Sequence, residues 1–247
     1  MLADTYQTLT SGKIKGPETD APVITVVNCV ERVLITFSDK YADSNIKNEK
    51  GLTQKLIHLL TLHALKKYYP FYFKNEYMED PERGDSPQVD IGVISTSKEG
   101  IIIGVTPYEG ESFFSIEAKR LAELGSKRSK EYLVGRTEKN KYNSCGGVER
   151  FKQGIHGRGL PYGAIIGFVQ EYDFDYWHGL LNSWIEDLLH DNIYSPVSWD
   201  LKDKLQKEYI KTTTAKFISV NTRQGDSIML FHLWTSLNSS STERDKW

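Results

Sequence analysis

The sequence predicts an α/β sandwich in which a mixed central β-sheet is flanked by helices. Three observations support this fold class. Helical periodicity dominates the first part of the chain, β-branched and aromatic runs follow it, and helices and strands then alternate up to a C-terminal hairpin. This order of elements is typical of an α/β sandwich with a mixed sheet. The 247 residues are enough for one well-filled core with elaborations.

Two amphipathic helices are predicted before the first strand. Apolar residues between positions 23 and 41 recur at spacings of three and four, and Asp20 and Pro22 suit an N-cap and a first turn. A helix is therefore favoured over a strand despite the valines. A second helix is predicted over residues 48–69. Its buried stripe consists of Leu52, Leu56, Leu59 and Leu60.

Aromatic and β-branched runs predict four consecutive strands after these helices. The runs cover residues 71–77, 89–94, 101–105 and 113–119, with a turn-rich segment at 95–100 and a hairpin turn at 107–111. A helix is predicted next at 146–154, then a buried strand at 164–170 and a helix at 174–190. Two last strands, at 215–220 and 228–234, flank the turn Arg223-Gln224-Gly225-Asp226 and form a hairpin.

These elements predict a single domain over residues 21–238, with a core at about 45–170. Residues 1–20 are expected to be a flexible N-terminal arm because they are rich in Gly, Pro, Ser and Thr. Residues 239–247 are expected to be a frayed tail. The segment after residue 170 then adds a helix and a hairpin to the core.

Composition argues against several classes of protein. No run of about 18 apolar residues marks a membrane span, and the polar N-terminus has no apolar region typical of a secretory signal. Cys29 and Cys145 are too few for a disulfide framework or a thiolate zinc site. We therefore expect a cytoplasmic protein with no membrane partner.

Charge is distributed unevenly along the chain. The net charge is only -2, but residues 119–158 carry 11 Lys or Arg against 4 Asp or Glu. Residues 171–191 instead carry six acidic residues and no Lys or Arg. Such segregation is what a face for a polyanion requires, although a solvated basic segment would show the same pattern.

The strand predicted at 113–119 carries two charged side chains on one face. Side chains alternate along a strand, so Phe114, Ile116 and Ala118 point into the core while Ser115, Glu117 and Lys119 share the other face. Asp90 interrupts an earlier apolar strand, and strands that follow one another in sequence usually neighbour one another. Asp90 and Glu117 could therefore meet beside Lys119.

Two carboxylates and an amine in one pocket suit the hydrolysis of a phosphodiester. Mg²⁺ prefers hard oxygen ligands, and Asp90, Glu117 and the backbone carbonyl of Ala118 could supply them. The metal would polarise the phosphate and lower the pKa of a water molecule, while Lys119 orients that water. Glu49 falls on the buried stripe of the second predicted helix and would contact the metal through water.

In these residues the chain resembles the PD-(D/E)xK, or restriction-endonuclease-like, nuclease superfamily. The resemblance spans residues 45–170 and rests on Glu49, on Val89-Asp90, and on Glu117-Ala118-Lys119. It implies a restriction-endonuclease-like sandwich and an endonuclease that uses Mg²⁺ or Mn²⁺. Asp90 and Glu117 would bind the metal, and Lys119 would assist the nucleophilic water. Val89 stands where the motif usually has proline, and the separation between Asp90 and Glu117 is long.

The resemblance also implies a nucleic-acid partner, most simply double-stranded DNA, and a role in restriction or anti-phage defence. A homodimer and a larger defence complex are both compatible with it. The residues expected to contact nucleic acid come from the basic segment. They are Arg120, Lys127, Arg128, Arg150, Lys152 and Gln153.

Each feature also has a simpler interpretation. Glu117 and Lys119 could be an exposed ion pair, Asp90 could be a strand-entry residue, and Glu49 could only favour the helix N-terminus. His156 lies among glycines near the predicted site and is a minor candidate. The chain could instead be a catalytically silent nucleic-acid-binding or scaffold subunit, or a hydrolase of another phosphate ester.

Overall fold

The computed structural model describes residues 21–42, 44, 46–79, 82, 87–96, 112–123, 129–138, 141–190 and 196–238. The N-terminal arm, the strand expected at 101–105, the turn expected at 107–111 and the tail at 239–247 lie outside the described residues. The division into an arm, one domain and a tail therefore stays a prediction.

The four predicted helices are confirmed. They are α1 (Ala21–Tyr41), α2 (Glu49–Lys66), α3 (Gly147–Lys152) and α4 (Phe174–His190). Helix α2 begins after Asn48, whose side chain accepts a hydrogen bond of 2.6 Å from the backbone N–H of Gly51, as an N-cap does. No helix within the described ranges is both long and apolar enough to cross a membrane.

In the described residues, the central sheet has seven strands in the order β1-β2-β3-β6-β9-β8-β7. A separate two-stranded hairpin, β4-β5, lies outside it. The strands are β1 (Phe71–Met78), β2 (Gln88–Ser95), β3 (Ser112–Leu121), β4 (Arg136–Glu138), β5 (Lys141–Asn143), β6 (Tyr162–Val169), β7 (Gln206–Ile210), β8 (Thr214–Thr222) and β9 (Ser227–Ser236).

The sheet is mixed, as predicted. Strands β1, β2 and β3 form an antiparallel meander, β3, β6 and β9 run parallel, and β9, β8 and β7 are antiparallel. The parallel steps need crossovers, and α3 and α4 lie within them. The hairpin β4-β5 and the edge strand β7 were not predicted from the sequence. Strand β7 is mostly exposed, so its sequence does not alternate between apolar and polar residues.

Two apolar cores lie on opposite faces of the sheet. One is built by α1 and α2 against β1, β2, β3, β6 and β9, and it includes Ile116, Ala118 and Ile166. The other is built by α3 and α4 against β6, β8 and β9, and it includes Phe151, Trp177 and Trp234. The fold is thus α/β with helices on both faces, and β3 contributes residues to each core because its side chains alternate.

Candidate active site

Asp90 and Glu117 lie side by side because of the antiparallel register of β2 and β3. Ile91 pairs with Ile116 and Gly92 pairs with Ser115. Extending this register by one pair places Asp90 opposite Glu117. Directly opposed residues of an antiparallel pair share one face of the sheet, so both carboxylates lie on the face that α3 covers.

Asp90 accepts a hydrogen bond from the backbone N–H of Ala118 through Oδ2, at 2.8 Å. Burial and the neighbouring Glu117 carboxylate raise the pKa of Asp90 to about 7, although Lys119 and the hydrogen bond from Ala118 oppose the shift. A carboxyl group that resists ionisation beside another carboxylate is typical of a site that would gain from a cation.

Glu117 is almost completely buried, with 1% of its surface exposed. Its Oε1 atom accepts a hydrogen bond of 2.8 Å from Lys119 Nζ and lies 3.5 Å from Arg150 Nη1. Its Oε2 atom accepts no hydrogen bond from the described residues. Burial works to raise the pKa of Glu117, but the charges of Lys119, His156 and Arg150 outweigh it and hold the pKa below its usual value. Glu117 therefore stays ionised, with one oxygen unsatisfied.

Lys119 links Glu117 to Glu49 at the first turn of α2. Its Nζ lies 3.5 Å from Glu49 Oε1, and Glu49 Oε2 accepts a hydrogen bond of 3.2 Å from the backbone N–H of Arg120. Burial works to lower the pKa of Lys119, but the carboxylates of Glu117, Glu49 and Asp90 outweigh it and raise the pKa. The ammonium is therefore fixed in position and permanently charged.

Arg150 approaches the same pocket from α3. Its Nε donates a hydrogen bond of 2.9 Å to the backbone oxygen of Ser144. The preceding residue, Glu149, is buried and accepts hydrogen bonds from the N–H of Gly135 and the hydroxyl of Tyr142, which fastens the β4-β5 hairpin to α3. Arg150 thus reaches Glu117 from a firmly anchored helix.

Among the described residues expected to contact nucleic acid, Arg150 places its guanidinium 3.5 Å from Glu117. The side chain of Arg120 instead donates to Gln170, which follows the last residue of β6, and Gln153 accepts a hydrogen bond of 2.7 Å from the hydroxyl of Ser144. Lys127 and Arg128 lie outside the described residues.

The expectation that Lys152 contacts nucleic acid is corrected. Its Nζ donates hydrogen bonds of 2.6 and 2.7 Å to the two carboxylate oxygens of Asp203, and both side chains are fully buried. The ring of Trp199 lies 5.1 Å from the ammonium. Lys152 lies two residues after Arg150 on the short helix α3. Side chains at this spacing do not share a helix face, so that of Lys152 points to the α4 side of the protein rather than to Glu117.

Glu79 was not predicted from the sequence, and His156 was predicted only as a minor candidate. Glu79 follows the last residue of β1. The backbone N–H of Gly157 donates to both of its carboxylate oxygens, at 3.0 Å each. His156 is fully buried and its Nε2 lies 3.4 Å from Glu117 Oε2. Glu79 belongs to no periodic pattern in the sequence that would predict a functional role. For His156, the neighbouring glycines are the sequence feature that could have indicated one.

The donor set fits a hard divalent cation. Within the described ranges, no three His, Cys, Asp or Glu side chains are grouped so that they could hold a metal ion by themselves. Mg²⁺ does not require such a cage, since one or two carboxylates with water and substrate oxygens usually suffice. Asp90 and Glu117 supply two carboxylates, and the unsatisfied Oε2 of Glu117 is buried where a cation would compensate it.

Comparison of the chain with family models, curated proteins and solved structures gives no match. The geometry of the site and the resemblance of its residues therefore carry the functional argument.

Proposed function

We propose that the protein is a metal-dependent endonuclease that hydrolyses phosphodiester bonds of nucleic acid, with double-stranded DNA as the expected substrate. The observation that carries the proposal is the meeting of Asp90 and Glu117 on adjacent strands beside the buried ammonium of Lys119. A cytoplasmic restriction or anti-phage defence nuclease is the setting that the resemblance implies. The restriction-endonuclease-like form of the sandwich belongs to the same proposal.

Each residue of the site has a chemical role in this reaction. Asp90 and Glu117 would hold the cation, together with the carbonyl of Ala118, and Glu49 would bind its water. A bound Mg²⁺ or Mn²⁺ supplies a Lewis acid for the phosphate and lowers the pKa of water. Lys119 donates hydrogen bonds to the attacking water and holds it in line with the phosphorus.

Arg150 would bind a non-bridging oxygen of the scissile phosphate. Its guanidinium is partly exposed, with 26% of the side-chain surface open to solvent, and it lies 3.5 Å from Glu117 Oε1. A guanidinium suits this role because it presents several donors in a fixed plane and is always charged. Negative charge that develops on the phosphate in the transition state would then face both Arg150 and Lys119.

The test is incubation of the protein with plasmid DNA, single-stranded DNA and RNA in the presence of Mg²⁺, Mn²⁺ or EDTA. We expect cleavage of DNA with either metal and none with EDTA. Asp90→Ala and Lys119→Ala should each reduce the rate by at least about 100-fold, since each removes a charge that the transition state needs. The matched controls are Glu186→Gln and Lys204→Ala, which alter an ion pair between α4 and the segment before β7.

The other outcomes separate the alternatives. Cleavage that persists in EDTA contradicts the metal site, and a normal rate for Lys119→Ala removes that residue from the mechanism. Binding of DNA without any cleavage favours a silent nucleic-acid-binding subunit. Turnover of small phosphate esters without cleavage of nucleic acid favours a different phosphohydrolase.

A further inference from the structure

A partly buried carboxylate, that of Glu79, lies near Glu117 and has no role in the reaction described above. Glu79 bridges two parts of the fold. Its Oε1 accepts a hydrogen bond from the hydroxyl of Ser115 on β3, and both of its oxygens accept from the N–H of Gly157 in the loop after α3. Ser115 precedes Glu117 by two residues, so it lies on the same face of β3. Glu79 is thus anchored next to the candidate site.

The loop after α3 brings the N–H of Gly157 and the ring of His156 to this site. Gly157 has a φ of 61°, in the left-handed region that disfavours other residues. A Cβ atom at Gly157 would also lie 3.3 Å from the ring of Phe151. That ring packs edge-on against His156, with 5.9 Å between the ring centroids. The loop and the helix therefore leave His156 little freedom to move.

His156 lies between the two carboxylates. Its Nε2 is 3.4 Å from Glu117 Oε2, and its Nδ1 is 3.8 Å from Glu79 Oε2. Arg150 Nη1 approaches the same Nε2 at 3.2 Å. Two atoms along this line, Glu117 Oε2 and His156 Nδ1, are buried and make no hydrogen bond with the described residues. Buried polar atoms without partners cost free energy and need an explanation.

The different neighbours of the two Glu117 carboxylate oxygens supply that explanation. Lys119 and Arg150 both approach Oε1. A cation would therefore bind Oε2, which is the oxygen that His156 borders. A carboxylate ligand must keep its orientation for the metal to bind tightly, and groups that touch the ligand usually provide this.

We propose that Glu79 and His156 are positioning residues that hold the Oε2 side of the Glu117 carboxylate in place for a divalent cation; this inference rests on the proposed function. His156 restricts the rotation of Glu117 by contact, and Glu79, which Ser115 and Gly157 hold, borders His156 on its other side. Neither residue is a metal ligand or touches the substrate in this proposal.

The test is calorimetric titration of Mn²⁺ into the full chain without DNA. We expect His156→Ala to weaken Mn²⁺ binding by about 10-fold or more, as loss of a group that orients a ligand does. His156→Gln should lose less, since its amide can still contact Glu117, and Glu79→Gln should fall between His156→Gln and the unmodified protein. Cleavage by His156→Gln should recover at saturating Mn²⁺, whereas cleavage by Asp90→Ala should not.

The matched control is His178→Gln on α4. His178 packs on Phe217 and its Nε2 donates to the backbone oxygen of Leu205, and neither of these partners belongs to the candidate site. This variant should bind Mn²⁺ like the unmodified protein. Thermal unfolding in EDTA shows which variants are folded. If His156→Ala does not fold, the Mn²⁺ affinity of Glu79→Gln decides the question.

Two results would overturn the proposal. If folded His156→Ala and Glu79→Gln both bind Mn²⁺ within about two-fold of the unmodified protein, the pair has only a structural role, while the metal site itself stands. If the unmodified protein binds no Mn²⁺ and Asp90→Ala makes no difference, the proposed function fails together with this inference.

Discussion

Two buried lysines of this protein have opposite electrostatic surroundings. Lys119 faces Glu117 at 2.8 Å, Glu49 at 3.5 Å and the charge of Asp90, and these carboxylates raise its pKa. Lys152 faces Asp203, and burial lowers the pKa of Lys152 although the ion pair opposes this. Lys119 thus faces more carboxylates than its single charge can balance. Lys152 and Asp203 balance each other, and we call them the closed pair.

The closed pair is complete in its hydrogen bonds. Lys152 bonds to both carboxylate oxygens of Asp203, and Oδ2 also accepts from the backbone N–H of Asp200 at 2.7 Å. Around Lys119, in contrast, the buried Oε2 of Glu117 accepts nothing from the described residues, and the pKa of Asp90 is raised to about 7. Surplus negative charge, rather than burial of a lysine, therefore distinguishes the candidate cation site from a structural ion pair.

The largest effect on stability should come from breaking the closed pair. Asp203→Ala leaves a buried ammonium without a partner, and we expect the free energy of unfolding to fall by about 3–5 kcal/mol in urea denaturation. The double variant Lys152→Met with Asp203→Leu should recover most of this loss, because two apolar side chains replace the pair. A loss below about 1 kcal/mol for Asp203→Ala would mean that solvent reaches Lys152.

The opposite result is expected at the candidate site. Asp90→Asn removes a carboxylate that repels Glu117 and keeps an oxygen that can accept from Ala118, so it should stabilise the protein in EDTA by roughly 2 kcal/mol at about pH 8. The same substitution should abolish cleavage. Saturating Mg²⁺ should reverse the order of stability, since only the unmodified protein gains from binding the metal.

The pKa of Asp90 also predicts the direction in which the stability of the protein changes with pH. Because the pKa of Asp90 rises from 3.8 to about 7 on folding, the folded state binds more protons than the unfolded state between these values. The unmodified protein should therefore lose stability in EDTA as the pH rises through this window, and Asp90→Asn should lose less. Urea denaturation at several pH values measures the difference. If Asp90→Asn is less stable than the unmodified protein in EDTA, the Asp90 carboxylate does not destabilise the folded state.

A smaller effect is expected from His232, which lies in a second group of paired polar side chains. Its Nδ1 and Nε2 each lie 2.8 Å from a hydroxyl oxygen, of Tyr132 and Ser219 respectively. Burial lowers the pKa of His232 to about 3. The unfolded chain therefore binds the extra proton first as the pH falls below 6.5.

We expect the free energy of unfolding to fall by about 1 kcal/mol between about pH 6.5 and 5.5 because of this residue. His232→Gln should remove that part of the pH dependence, whatever its effect on stability at neutral pH. Urea denaturation of both proteins across this range measures it. Equal pH dependence in the two proteins would show that His232 is not the group responsible.

Residues that follow a local pattern could be predicted from the sequence. The alternation along β3 placed Glu117 and Lys119 on one face. Asp90 was expected near them, but a further strand was predicted at 101–105 between its strand and theirs, and the direct pairing of β2 with β3 is a finding of the structure. Glu49 was expected on α2 by its helical spacing, and the structure places it 3.5 Å from Lys119. For Glu117, Lys119 and Glu49, a single strand or helix contained the necessary information.

Residues that depend on distant contacts could not be predicted. Lys152 belongs to a basic segment by composition, but its partner Asp203 lies 51 residues further along the chain. Glu79 is 78 residues from Gly157, and neither position shows a periodicity that would join them. The role of a charged side chain follows from its partner, and the identity of that partner depends on the tertiary fold.

The irregular pairing between Val93 and Ile94 has a consequence for the register of the candidate site. Strands β2 and β3 keep one register from Ile91 to Val93 and shift beyond it. A slip of one residue would turn a carboxylate to the opposite face of the sheet. Since the irregularity lies on the side toward the connection between β2 and β3, the pairing from Ile91 to Val93 aligns Asp90 with Glu117 independently of the register at that end of the strands.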